Sequence, residues 1–318
     1  MKCLVTGAAG FIGSHLAEAL LVAGADVVGI DGFLDNYSRQ RKLSQVQQLR
    51  QDPRFRLVEG RIQEQELEPL LEGVDRVYHL AALPGVRPSW GRAFEHYLDH
   101  NVLATQRLLE ACLEARVSRF VYASSSSVYG DTDRLPMSET ARTRPFSPYG
   151  VSKLAAEQMV RLYYRNFGLA TVSVRYFTVY GPRQRPDMAI QRFLKAALAG
   201  EPVILFGDGE QGRDFTFVAD AVSATCRAAD MGEPGGVYNV GGGSHVSLNE
   251  LIAAIQEVSG ARLKVRKEAA KPGDVRFTQA DGSLARSVLG FVPRTSLEDG
   301  LACQWAWLKE ADGVDSRG

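Results

Sequence analysis

Short, nearly uninterrupted apolar runs alternate with longer amphipathic stretches through the first half of the chain. The runs at 2–6, 26–31, 56–62, 74–82, 120–123 and 171–176 have the length and texture of strands covered on both faces. Between them, residues 14–23, 101–115 and 149–167 repeat apolar side chains at three- and four-residue spacing, which predicts helices. Four strand–helix steps before residue 171 predict a mostly parallel, doubly wound α/β sheet.

Past residue 176 this alternation fades. Residues 178–187, 205–209, 212–215 and 271–276 are turn-rich or arginine-rich and predict loops. Helical spacing returns at 190–199, 248–259 and 297–309, and 237–240 reads as a strand before the flexible turn Gly241-Gly242-Gly243. At 318 residues the chain exceeds the usual single-domain size. We expect one lobe over 1–176, with later segments returning to it, and a smaller C-terminal α/β lobe over 177–318. The last few residues predict a frayed tail.

Composition narrows the partners. Apolar residues make up 45% and charged residues 23%, ordinary for a globular protein. Lys plus Arg and Asp plus Glu each number 37, so no basic excess points to nucleic acid or an anionic membrane. No apolar run approaches the ~20 residues of a spanning helix, and the strand-like run at the very start predicts no signal peptide. Cys3, Cys112, Cys226 and Cys303 lack paired spacing. They predict reduced thiols in a cytoplasmic protein, with no metal site and no disulfide framework.

Candidate chemistry begins in the first turn. Gly7-Ala8-Ala9-Gly10-Phe11-Ile12-Gly13 joins the first strand to the first helix. There Gly7 permits a tight turn, Gly10 lets backbone approach a pyrophosphate, and Gly13 lets helix and strand pack closely. The helix N-terminus would face the phosphates. Asp31 ends the second strand, where a carboxylate can accept both ribose hydroxyls of NAD and would repel a 2′-phosphate. The fold expected is thus Rossmann-type. Arg39, Arg41 and Lys42 would suit NADP but read more simply as a solvated basic loop. Small Ala81 and Ala82 would let a cofactor lie against the backbone. His79, inside an apolar strand, reads as packed rather than catalytic.

A second constellation follows the fifth strand. Ser124-Ser125-Ser126-Ser127-Val128-Tyr129-Gly130 precedes Tyr149-Gly150-Val151-Ser152-Lys153. On a helix, residues four apart share a face. A phenol titrates near ~10. A neighbouring ammonium stabilises phenolate, so Lys153 would lower the Tyr149 pKa and let it take a proton from a sugar hydroxyl. Tyr-x-x-x-Lys alone is common in ordinary helices; the serine run and glycine turn give it weight. Arg87 and Ser89 lie in a loop at the carboxyl end of a strand, where such sheets bind ligands. On residues alone, Arg87 is balanced between an anion site and the surface. Arg192, Arg213 and Arg276 lie in or beside later loops. Their guanidinium forks would suit a diphosphate if they converge, although each alone reads as a surface residue.

Together, Gly7-x-x-Gly10-x-x-Gly13, Asp31, His79-Leu80-Ala81-Ala82, Asn101, the 124–130 run, Tyr149-x-x-x-Lys153 and Arg213-Asp214-Phe215 resemble the extended short-chain dehydrogenase/reductase family. The resemblance covers nearly the whole chain. Within that family the chain is similar to nucleotide-sugar 4-epimerases. Ser126 and Ser127 stand where dehydratases carry Asp-Glu, and the run lacks the Glu usual in decarboxylases. Residues 176–182, the stretch from Arg185 to Ala189, and Gly85-Val86-Arg87-x-Ser89 are similar to UDP-glucuronate 4-epimerases. One departure is Arg61, which follows Gly60 where relatives commonly place an Asp against adenine; that contact does not carry over.

The resemblance implies tightly bound NAD against Gly7, Gly10, Phe11, Ile12, Gly13, Asp31, Asn36, Ile62, Leu80, Ala81, Ala82, Asn101, Ala123, Ser124, Tyr149, Lys153, Tyr176 and Val179. It implies a UDP-sugar against Pro84, Gly85, Arg87, Ser89, Ser125, Ser126, Ser127, Tyr149, Thr178, Arg185, Ala189, Arg192, Phe206, Arg213 and Arg276. Tyr149, Lys153, Ser125, Ser126 and Ser127 would act on the sugar, converting UDP-glucuronate to UDP-galacturonate through a transient 4-keto sugar. Rival readings are a 4-epimerase of neutral UDP-hexoses, a UDP-glucuronate decarboxylase, and a catalytically silent NAD/UDP-sugar sensor. The helices at 101–115 and 149–167 would pair with their copies in a homodimer, although packing within one chain explains their apolar faces equally well.

Overall fold

The computed structural model describes residues 1–132 and 134–311. Six strands are β1 (Lys2–Thr6), β2 (Asp26–Asp31), β3 (Phe55–Glu59), β4 (Arg76–His79), β5 (Arg119–Ser125) and β6 (Thr171–Tyr176). They join the strand Gly236–Val240 in a seven-stranded sheet of order Gly236–Val240, β6, β5, β4, β1, β2, β3. Every neighbouring pair is parallel. Parallel strands need crossovers, so helices cover both faces.

Side-chain alternation along each strand makes two cores. Val5, Val27 and Val174 pack with Leu16 and Leu20 of helix α1 (Phe11–Val22) and with Ala221 and Ala224 of the helix Val218–Met231. Leu4, Val28, Val77 and Phe120 face the other way. They meet Leu108 of the helix Ala104–Glu114 and Ala156 and Val160 of the long helix Pro148–Phe167. The long helix starts where the Ser147 hydroxyl accepts from the Gly150 N–H at 3.1 Å and Pro148 takes the first position. It stops at Gly168, whose φ of 76° is the left-handed geometry of a helix C-terminus. These ends fix Tyr149 in the first turn and Lys153 one turn on.

After β6 the chain leaves the sheet and builds a smaller α/β lobe. Helices Ala189–Ala199, Leu248–Ser259 and Leu297–Ala311 pack Leu194, Leu251, Ile255 and Leu301 around Leu205. The helix Val218–Met231 and the strand Gly236–Val240 return to the large sheet.

Several local expectations change. Arg39, Arg41 and Lys42 are helical, in α2 (Arg39–Val46). The stretch expected as loop at 178–187 starts as a strand, Thr178–Tyr180, paired with Phe215–Phe217. Residues 205–206 belong to a strand, Val203–Phe206, beside Val265–Glu268, and Gly212–Arg213 pairs with Val246–Ser247. These ladders are too short to show a period-two pattern; packing of the lobe makes them. The Ala-rich helix Val218–Met231 has no counterpart among the predicted elements. β3 and β4 end earlier than expected, at Glu59 and His79, because the residues beyond turn away from the ladder. Residues Leu98–Leu103 form a π-helical segment, so α-helical geometry starts only at Ala104. The tail expected to fray lies largely outside the described residues.

One polar knot ties the 181–188 loop to the smaller lobe. Gln304, fully buried, donates to Gln184 and Gln191 at 2.9 Å and accepts from the Gly181 N–H at 2.9 Å. Gln184 also donates to Val179 O and accepts from the Gln191 N–H. Buried groups that lose partners cost about 1–3 kcal/mol each. Gln304→Leu should therefore lower unfolding stability by at least about 1–3 kcal/mol, read from a denaturation midpoint. An unchanged midpoint would contradict the knot.

Candidate functional site

The sheet reverses its winding direction between β1 and β4, and in such sheets a crevice opens at the strands' carboxyl ends. The turn after β1 forms its floor. Gly7 has φ 70°, and a Cβ there would lie 2.9 Å from Ala81 N. A Cβ on Gly13 would lie 2.1 Å from Gly7 O, so turn and helix touch backbone to backbone. Gly10 caps α1 without a side-chain hydrogen bond, which leaves first-turn N–H groups for a ligand.

Asp31 stands at the end of β2. Its carboxylate accepts from Ala9 N–H at 3.0 Å and Phe33 N–H at 2.8 Å, one on each oxygen. Burial raises its pKa against those bonds and the nearby Lys42 charge. Each oxygen keeps a lone pair for a ribose hydroxyl. Lys42 is not solvated: it is buried, donating to Leu34 O and to Asn36 Oδ1 at 2.8 Å. Arg39 stays exposed, as expected, and pairs with Glu59, while Arg41 donates to Gln184 O; of the basic cluster Lys42 lines the cavity. Along this cavity the structure places Gly7, Gly10, Phe11, Ile12, Gly13, Asp31, Asn36, Ile62, Leu80, Ala81, Ala82, Ala123, Ser124, Tyr149, Lys153 and Tyr176. Arg61 lies at the same end and pairs with Glu64 at 3.3 Å. Asn101 sits behind the wall, exchanging hydrogen bonds with Leu83 and donating to Ser152.

A second cavity continues from the first. Ser124, Tyr149, Tyr176 and Arg185 line both. Pro84, Gly85, Arg87, Ser125, Ser126, Ser127, Thr178, Val179, Ala189, Arg192, Phe206 and Arg213 line the second. Val179 was expected against the cofactor; it faces this cavity instead because the short strand Thr178–Tyr180 turns it away from the sheet's crevice. Ser89 is buried behind the wall, donating to Val86 O. Arg276 does not converge with the other arginines. It lies outside this lining, its guanidinium forked onto Asp208 at 2.9 Å, because the strand Val203–Phe206 brings that carboxylate alongside.

Tyr149 sits where the cavities meet. Burial raises its phenol pKa; a hydrogen bond to Ser125 and the charge of Arg185 pull the other way. Lys153 donates to Ala123 O and lies over the Tyr122 ring at 4.4 Å, and burial lowers its own pKa to about 7 against the opposing pull of Glu157. Arg185 stands beside the phenol as the fixed cation. Its Nε and Nη2 hold Asp187 at 3.0 and 2.8 Å. His79 is packed, as expected: Thr6 and Thr105 engage its two nitrogens, and burial takes its pKa down to about 3.

Sequence reasoning missed Tyr37, Lys42, Gln63 and His100 in the first wall and Gln211, Leu248 and Asp274 in the second. Lys42 carried a signal, a basic cluster directly after Asp31. The others come from separate elements with no shared spacing. Asp274 matters most, because it pairs with Arg87 at 2.7 Å.

A glycine-lined crevice, a ribose-type carboxylate and a Tyr-x-x-x-Lys helix beside a serine run define a nucleotide-cofactor enzyme of the short-chain dehydrogenase type. The sequence profile of the NAD dependent epimerase/dehydratase family matches residues 3–241, and the chain belongs to that family. It is 43% identical to a UDP-glucuronic acid 4-epimerase from Bacillus cereus solved with UDP-glucuronic acid and NAD. That match covers 98% of this chain and 100% of the other, with a TM-score of 0.95. It is 37% identical to a UDP-glucuronate 4-epimerase of Thermodesulfobacterium geofontis (strain OPF15), over 96% of each chain. It is 45% identical to an uncharacterised UDP-glucose epimerase of Bacillus subtilis (strain 168), over 97% of this chain and 98% of that one.

Two outcomes check this geometry. Gly13→Ala forces a Cβ against Gly7 O and should weaken NAD binding at least about tenfold, measured by calorimetry on stripped protein; this corresponds to ~1.4 kcal/mol. Unchanged affinity would mean the turn tolerates separation. The Tyr149 phenol should titrate above the ordinary value of about 10 in ligand-free protein. The ultraviolet difference titration against Tyr149→Phe reads this directly, and a midpoint below the ordinary value would contradict the burial argument.

Proposed function

We propose that the chain is an NAD-dependent UDP-glucuronate 4-epimerase that interconverts UDP-glucuronate and UDP-galacturonate through a 4-keto sugar. The observation that carries this reading is the placement of Tyr149 and Arg185 on the shared wall of two continuous cavities. NAD, held along the Gly7–Gly13 turn and Asp31, supplies a reversible acceptor for the C4 hydride. Tyr149 takes the 4-hydroxyl proton and returns it after the keto sugar has presented its other face. Ser125, on the cavity wall with Tyr149, steadies the C4 oxygen, with Ser126 and Ser127 beside it. No net redox change results, so NAD stays bound between turnovers.

The arginine-lined second cavity favours an acidic sugar. The Nε–Nη2 edge of Arg185 is committed to Asp187, so a C5 carboxylate would meet its Nη1 side, with Thr178 alongside. Arg192 and Arg213 suit the diphosphate. The intermediate is a β-keto acid, and a fixed carboxylate keeps its C–C bond out of alignment with the ketone. The Bacillus subtilis relative's description supports a second reading, a 4-epimerase of neutral UDP-hexoses.

The same reading has residues 1–176 with the returning segments holding NAD, and 177–318 mainly holding the UDP-sugar. It makes the enzyme a cytoplasmic homodimer. Leu103 on one helix and Val151 and Leu162 on its neighbour are exposed apolar residues suited to such a pairing. The four cysteines are free, which fits a reducing compartment.

Purified protein given UDP-glucuronate and no added cofactor should yield UDP-galacturonate, followed by NMR. No product even with added NAD would refute the substrate, and neutral UDP-hexoses would be tried next. Arg185→Ala should raise a UDP-pentose side product or weaken substrate binding. Unchanged kinetics without side product would remove Arg185 from carboxylate control.

A further inference from the structure

One helical turn beyond Lys153, outside the cavity linings, lies a buried charge cluster that the reaction as written does not use. Glu157 is 2% exposed and stands one helical turn beyond Lys153 on the same face. Its carboxylate is held by a fork from Arg175 on β6, Nη2 at 2.6 Å and Nε at 2.9 Å, and by the Ser124 hydroxyl at 2.5 Å. Arg175 in turn donates Nη1 to Tyr129 at 2.8 Å, and Tyr129 donates to Asn239 at 2.7 Å. Lys153 itself is held by a carbonyl, Ala123 O, and by the face of Tyr122, on the two residues preceding Ser124.

We propose that Glu157 is a positioning residue for the reaction: clamped by Arg175 one turn from Lys153, it is a shared counter-charge that keeps Lys153 cationic yet unpaired. Two failures are avoided at once. With no carboxylate nearby, burial would drive the ammonium to lose its proton. With a carboxylate bonded to it directly, its charge would be cancelled before reaching the phenol and the ligand. Arg175 enforces the intermediate arrangement by occupying both Glu157 oxygens. Ser124, which lines both cavities, links this carboxylate to their wall.

The other groups around Lys153 leave Glu157 and Arg175 as the pair that sets its charge. His79 on β4 is neutral above about pH 3. Tyr122 on β5 is pushed far up by burial and stays neutral. Tyr129 is raised to about 12 by burial against the pull of Arg175. Tyr149 is raised, and Arg185 is a constant cation beside it.

The proposal deepens the epimerase reading and rests on it, but its test does not need turnover. Lysine labelled with ¹³C at Cε reports the Lys153 ionisation midpoint by NMR in ligand-free protein, assigned with Lys153→Met. Glu157→Gln should move that midpoint down by about one unit or more, and Arg175→Met should move it up by a similar amount. Glu157→Asp should restore most of the wild-type value. Arg175→Lys, which keeps the charge but loses the fork, gives a smaller upward move and serves if Arg175→Met does not fold. The alkaline limb of kcat for the loaded enzyme on UDP-glucuronate should move in the same directions. Shifts of the same sign in the Glu157 and Arg175 variants, or no shift in folded variants, would overturn the proposal. Opposite shifts without any turnover of UDP-glucuronate would leave Glu157 in its role and refute the substrate instead.

Discussion

A lysine ammonium buried between a helix and a sheet is the constraint on which this site depends. Lys153 is 4% exposed, and an unsupported buried ammonium costs several kcal/mol and tends to lose its proton. The surrounding architecture answers that cost piece by piece. The Ser147 cap sets the helix start, and the helix sets Lys153 against β5, where a carbonyl and an aromatic face receive it. The same helix supplies Glu157, and β6 supplies Arg175 to restrain it. β5 and β6 thus each hold one member of this charge cluster in place.

The two cavities follow from sheet topology. Parallel order with a reversal between β1 and β4 opens a crevice, and glycines at positions 7 and 13 let backbone line its floor. The second cavity has a different origin. It is built from loops after β4, β5 and β6, closed by the smaller lobe. Gln304 and Gln184 hold one of those loops to the lobe, and Gln45 and Arg41 of α2 hold it to the first cavity's wall through the carbonyls of Arg183 and Gln184. Arg185 is therefore anchored from both sides of the substrate opening.

Much of this was legible in the sequence, for identifiable reasons. The large sheet's strands are short apolar runs, and Thr171–Tyr176 falls where the pattern puts it. Glycine turn, Asp31 and Tyr149-x-x-x-Lys153 are local spacings, and local spacing survives folding. Pairings between distant residues were not legible. Nothing near Arg87 indicates Asp274, and nothing near Arg276 indicates Asp208. Arg175 and Glu157 are far enough apart in sequence that only the β6–helix contact joins them. The three small ladders of the second lobe have two to four residues per strand, too few for a pattern.

The central claim is that hydrogen leaves C4 of the sugar and returns to the same carbon within one closed site. UDP-glucuronate deuterated at C4, incubated with the protein in ordinary water, tests it directly by mass spectrometry and NMR of the UDP-galacturonate formed. The account predicts full retention of deuterium at C4 with inverted configuration. Loss of deuterium to solvent, or its transfer to C5, would contradict it.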